Sequence, residues 1–228
     1  MPLTHCADLS AASWIAHSEL PWQRLVGFGP AGLPAYARLR FMPDPAYDGQ
    51  SENDVDPGAE GPSDLEQLRV ALDILARWTS TPGDCYACLW DGWASDLHGS
   101  DGAGSENAGF ETVTGASHRG PRIAPAFPPS VLDGPKVRVP HRAYFLFRGA
   151  LADVGDWGAA EMWPGQPRLG MLVPAFVWPA DRAWCVTNDV DPHWAGIGAA
   201  TSAIDGLVAD PRLDVVHADP EDDPPYYV

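Results

Sequence analysis

The chain is short of positive charge. Of its 228 residues only 14 are Lys or Arg against 31 Asp or Glu, a formal net charge of −17. A field of that sign repels phosphate backbones and anionic lipid surfaces, which disfavours nucleic acid and membranes as partners. No run approaches the roughly 18 apolar residues that a helical membrane span needs. The opening "MPLTHCADLSAASWIAHSEL" lacks the basic and apolar regions of a secretory signal. These absences predict a cytoplasmic protein. Cysteine is scarce too, with four residues (Cys6, Cys85, Cys88, Cys185). In that compartment they are read as thiols rather than disulfides.

Signature motifs are missing as well. There is no G-x-S-x-G and no H-E-x-x-H, which weakens the common serine-hydrolase and zinc-protease readings. "GFGPAG" (27–32) has the glycines of a phosphate loop but neither its Lys-Ser/Thr nor the strand–glycine–helix order of a dinucleotide site. It reads as a turn. Cys85-Tyr-Ala-Cys88 has no second pair to complete a zinc site. It lies inside an apparent strand, where positions i and i+3 face opposite ways, so both thiols are assigned to the core.

What the chain does have is apolar mass: 45% hydrophobic residues and ten Trp. That is the composition of one globular domain, spanning 1–228. "AYARLRFM" alternates and predicts a strand over about 35–42, ended by Pro43 and Pro45. "PSDLEQLRVALDILARWTS" predicts a helix over 64–78, with Ser63 as N-cap and Glu66 completing a capping box. Leu65, Leu68, Leu72 and Leu75 form its apolar stripe. Strands are predicted over 85–90 and 142–148, and a hairpin over "PAFVWPADRAWCVTNDV". A second helix is expected in "GAATSAIDGLVAD" and a last short strand in "RLDVVHA". The fold class that follows is α+β: a mixed, mostly antiparallel sheet with two main helices packed on one face. Residues 94–135, rich in Gly, Ser and Pro, are expected to form a flexible excursion. The acidic C-terminal tail, 219–228, is expected to fray.

The stretch "NDVDPHW" (188–194) is the main chemical candidate. Asp189, Asp191 and His193 stand at spacing two, which in an extended chain would aim two carboxylates and an imidazole at one divalent ion. Pro192 bends that path. The stretch is therefore read as a strand end running into a turn, with no preformed metal centre and no cofactor. Trp184 and Val186 then face the core, Asp189 lies on the opposite face, and Trp194 packs under the turn. Asp189 and Asp191 are expected to be solvated or to accept backbone N–H bonds. Trp93, Trp163 and Trp194 flank polar loops. Aromatic rings beside carboxylates suit a sugar, a cation or a protein partner.

The strings "STPGDCYACLWDGW", "VPHRAYFLFRG", "FVWPADRAWCVTNDVD" and "GPAGLPAYARLRFMPDP" resemble a group of uncharacterised proteins from high-GC bacterial genomes. The resemblance covers most of the chain outside 94–135. It implies a single domain in a bacterial cytoplasm and carries over no catalytic or binding residue. The leading expectation is a non-enzymatic binding protein that sequesters a basic protein partner, in the manner of an immunity protein or antitoxin. Trp93, Trp163, Trp194, Asp189, Asp191 and His193 are its candidate contacts. The alternative is a metal-assisted hydrolase built on Asp189, Asp191 and His193.

Overall fold

The computed structural model describes residues 1–55, 61–99, 123–161, 165, 169 and 172–228. Nine strands in this part of the chain form one antiparallel sheet. They are β1 (Thr4–His5), β2 (Ala35–Arg40), β3 (Cys85–Trp90), β4 (Val137–Val139), β5 (Arg142–Gly149), β6 (Phe176–Pro179), β7 (Cys185–Thr187), β8 (Trp194–Ala199) and β9 (Val215–Ala218). Their order is β1-β5-β3-β6-β7-β8-β2-β9, and β4 pairs with β5 beside β1. The described pairings are antiparallel throughout, so the mixed component of the expected sheet is not found among them.

Alternation along these strands sorts side chains onto two faces. One carries Ala37, Leu39, Ala87, Leu89, Phe145, Phe147, Val177, Val186 and Ile197. Against it pack helices α3 (Asp64–Leu75) and α6 (Thr201–Val208), which also touch each other. Helix α3 begins where the capping box places it. Ser63 Oγ accepts from the Glu66 N–H at 3.4 Å, and Glu66 Oε2 accepts from the Ser63 N–H at 2.8 Å. Leu65, Leu68, Leu72 and Leu75 are all buried, and a 3₁₀ turn over 76–78 extends the helix to its expected end.

The other face carries Cys88, Tyr144, Leu146, Phe176, Trp178 and Cys185. Two short helices near the start of the chain cover it, α1 (Ser13–Ala16) and α2 (Trp22–Phe28). The expectation of helices on one face is therefore incomplete: both faces are covered. The cysteines obey the strand argument, since Cys85 is in one core and Cys88 in the other.

Three further expectations change. "GFGPAG" is only half a turn, because Gly27 and Phe28 close α2 and the turn begins at Gly29 (φ 84°). The strand β8 precedes the helix expected in "GAATSAIDGLVAD", which starts at Thr201. At the borders of the expected 94–135 excursion the chain is ordered into helices α4 (Ala94–His98) and α5 (Pro129–Leu132), with Leu97, Ala126, Phe127 and Leu132 buried. Residues 100–122 lie outside the described residues.

Candidate functional site

The site is assembled where α2 meets the strand ends of the second face. Helix α2 sits unusually close to the sheet. A Cβ on Gly196 would lie 1.8 Å from the Gly27 carbonyl oxygen, so only glycine admits this approach. The same carbonyl accepts a 2.6 Å bond from the Thr187 hydroxyl. This seat places Phe28 on Trp194, ring centroids 5.1 Å apart, and carries Trp22 to the start of β5.

There Trp22 meets Arg142, the first residue of β5. The Arg142 guanidinium is 5.4 Å from the Trp22 ring centroid and 5.3 Å from that of Trp90. It lies between two indole rings, an arrangement its delocalised charge favours. Its Nε donates to Asp189 Oδ1 at 3.1 Å and its Nη2 to Asp189 Oδ2 at 3.2 Å. Nη2 also reaches Asp191 Oδ2 at 3.2 Å. The Asp189 hydrogen bond is the largest influence on Arg142, and it strengthens an already firm hold on the proton. The Arg142 and Asp189 side chains are 14% and 8% exposed, whereas Asp191 is 77% exposed. One guanidinium thus faces two carboxylates, and the outer carboxylate projects into solvent.

Asp189 does lie on the face opposite Trp184 and Val186, both of which are buried in the core. The expectation that it is solvated or bound to backbone N–H groups is corrected: its partner is Arg142. The signal for Arg142 was present in the sequence, as the position two before Tyr144 on the same face of an apolar strand.

His193 points elsewhere. Its side chain is 2% exposed, its Nε2 lies 3.1 Å from Asp44 Oδ1, and its ring meets that of Tyr227 at 4.8 Å. Asp44 also takes both Arg38 Nη atoms, at 2.6 and 2.9 Å, and Arg40 Nη1 at 3.0 Å. Burial works against ionisation of Asp44. The hydrogen bonds from Arg38, His193 and Arg40 outweigh it and hold the carboxyl well below the usual range. Asp189, Asp191 and His193 therefore do not converge on a point. Among the described residues no three His, Cys, Asp or Glu side chains form a metal-holding group.

The chain from 219 to 228, expected to fray, is tied back over this region. Arg24 donates to the carbonyls of Asp222 and Glu221 (3.0 Å for the latter) and to Asp223 Oδ1 at 2.9 Å. The Tyr227 hydroxyl donates to the Pro43 carbonyl at 2.7 Å, and the Val228 N–H to the Gln50 carbonyl at 3.0 Å. Between this segment and α2 runs an open groove of about 640 Å³. Trp22, Phe28, Trp194, Asp189 and Asp191 line it together with residues 223–227. A smaller cleft of about 230 Å³ lies across Asp189, lined by Asp64, Trp90, Trp93 and Asn188. Trp93 stands edge-on to Trp90 there, centroids 5.6 Å apart.

Of the candidate residues, Asp189, Asp191 and Trp194 thus share the groove, Trp93 lies in the adjoining cleft, and His193 belongs to the Asp44 cluster. Trp163 lies outside the described residues. Trp22, Arg24, Asp44, Arg142 and Tyr227 join the site without having been singled out, because contacts between distant parts of the chain put them there. No protein-family model, curated protein or solved structure matches this chain. Fold and site together define an α+β protein with an antiparallel sheet and an aromatic, carboxylate-tipped groove on one face. No described helix is long and apolar enough to cross a membrane.

Proposed function

We propose that the chain is a non-enzymatic binding protein whose groove takes a positively charged segment of a basic protein partner. The observation that carries this reading is the pairing of an aromatic wall, Trp22 and Trp194, with a projecting carboxylate, Asp191. Aromatic side chains supply contact area and cation–π attraction, and carboxylates at the rim select the sign of the partner. The net charge of −17 adds long-range attraction for the same partner. A role in sequestering a basic protein, as immunity proteins and antitoxins do, fits this chemistry. Catalysis has less support: Asp189 is committed to Arg142 and His193 to Asp44, so neither is poised as a base or ligand.

The test is binding of an oligo-arginine peptide, followed by tryptophan fluorescence and calorimetry. Trp22→Ala should weaken binding about tenfold or more, as loss of an aromatic anchor does. Asp191→Asn should weaken it about threefold, the scale of a rim charge. Asp205→Asn makes the same change of charge on α6, on the far face of the sheet, and should leave binding as it was. Equal losses for Asp191→Asn and Asp205→Asn would mean that the peptide spreads over the acidic surface, and the groove reading would fall.

A further inference from the structure

We infer that the segment Asp219–Val228 is a working wall of the groove, a strap that supplies part of its contacts to a cationic segment. This rests on the reading of the groove as a site for a basic partner and specifies how that partner is held.

The strap has no regular secondary structure and lies across the edge of α2 rather than in the sheet. It is fastened at two points. At one, Arg24 gathers the carbonyls of Glu221 and Asp222 and the carboxylate of Asp223. At the other, Tyr227 spans His193 and the Pro43 carbonyl, and the Val228 N–H reaches Gln50. Between the fastenings, Pro224 and Pro225 keep the backbone extended and offer an apolar surface to the groove. A segment held by so few bonds, with most of its residues exposed, belongs to the part of a fold that opens most readily.

The strap lines the groove and does not fill it, since the open volume is present with the strap in place. It adds the carboxylate of Asp223 to those of Asp189 and Asp191 in the groove's lining. Even while bonded to Arg24, Asp223 is 95% exposed, and Asp191, bonded to Arg142, is 77% exposed. Both carboxylates line the groove while each keeps its arginine, Arg24 for Asp223 and Arg142 for Asp191. A guanidinium bound in the groove is attracted to both carboxylates and donates hydrogen bonds to them. The geometry selects an extended, arginine-bearing segment, with its apolar parts against Trp22, Trp194 and the two prolines.

The strap makes a prediction of unusual sign. Arg24→Gln removes a cation from the rim, which by charge alone should tighten binding of a cationic peptide. If the strap is a wall, unfastening it should instead weaken oligo-arginine binding, by about threefold to tenfold. Tyr227→Ala, which changes no charge, should weaken it as well. In both variants the Val228 amide should exchange faster with deuterium. In the unmodified protein, adding the peptide should slow exchange at the amides of 221–227 together with those of 189–194. Unchanged or tighter binding by Arg24→Gln and Tyr227→Ala overturns the strap and leaves the groove reading intact. Faster exchange over 221–227 on adding the peptide does the same, because it marks the strap as displaced. Failure of the unmodified protein to bind the peptide overturns the groove reading and the strap with it.

Discussion

Asp189 and Asp191 are two residues apart and share one guanidinium, yet their surroundings separate them. Asp189 is buried against Arg142, while Asp191 meets the same group from solvent. Removing one member of a buried pair leaves the other charge uncompensated and costs about 3–5 kcal/mol. Breaking an exposed pair costs about 0–1 kcal/mol. Asp189→Asn should therefore lower the urea midpoint strongly and Asp191→Asn hardly at all, and similar midpoints would show that Arg142 is held by its two indoles instead. Asp44 gives a pH dependence. Its folded pKa is depressed, so the bonds from Arg38, His193 and Arg40 contribute fully above the ordinary Asp value near 4. That contribution is lost as pH falls from there through the depressed folded value. Asp44→Asn should lose less of its remaining stability between pH 6 and pH 3 than the unmodified chain does, as measured by denaturant titration at each pH.

At the scale of elements, α3 was legible and β8 was not. The helix announced itself through Ser63, Glu66 and the Leu stripe, all local features. Ser63→Ala should cost about 1 kcal/mol through the lost cap, and Leu72→Ala about 2–5 kcal/mol through the cavity left in the core. Thermal and urea unfolding check both, and Leu72→Ala should be the larger effect. Strand β8, "WAGIGA", has strand preference only at Trp194 and Ile197, and its two glycines and two alanines count against it. Its glycines answer to neighbours far away in sequence. A Cβ on Gly196 would strike the Gly27 carbonyl, and one on Gly198 would come within 2.6 Å of Leu33 and 2.8 Å of Tyr36. Nothing within the six residues reports those neighbours. Helices α1 and α2 were missed for a related reason, since they are too short to show a full apolar period.

For the whole molecule, the acidic excess does two things. It directs long-range attraction at positive charge, and it includes carboxylates such as Asp191 and Asp223 that project into solvent although each is bonded to an arginine. Binding of oligo-arginine in the groove should accordingly weaken as salt rises and level off once the Debye length falls well below about 10 Å. The contacts of Trp22 and Trp194 are apolar and should persist, so a residual affinity that still depends on Trp22 separates the groove from the general field. The sheet supports this division of labour. One face is committed to α3 and α6, and the other, under α2 and the strap, remains partly open.

The sequence by itself determined the fold class, the capped helix α3, the strands with clear alternation, the opposite facing of Cys85 and Cys88, and the side on which Asp189 lies. Each of these follows from interactions within about one turn or one strand, where chemistry and spacing are read directly along the chain. Only the tertiary structure decided that Arg142 is the partner of Asp189, that His193 turns to Asp44, and that 219–228 is fastened by Arg24 and Tyr227. Those pairings join residues from 47 to 199 positions apart. The spacing-two pattern of "NDVDPHW" could not foresee them, because a carboxylate's role is set by the charge that reaches it through space.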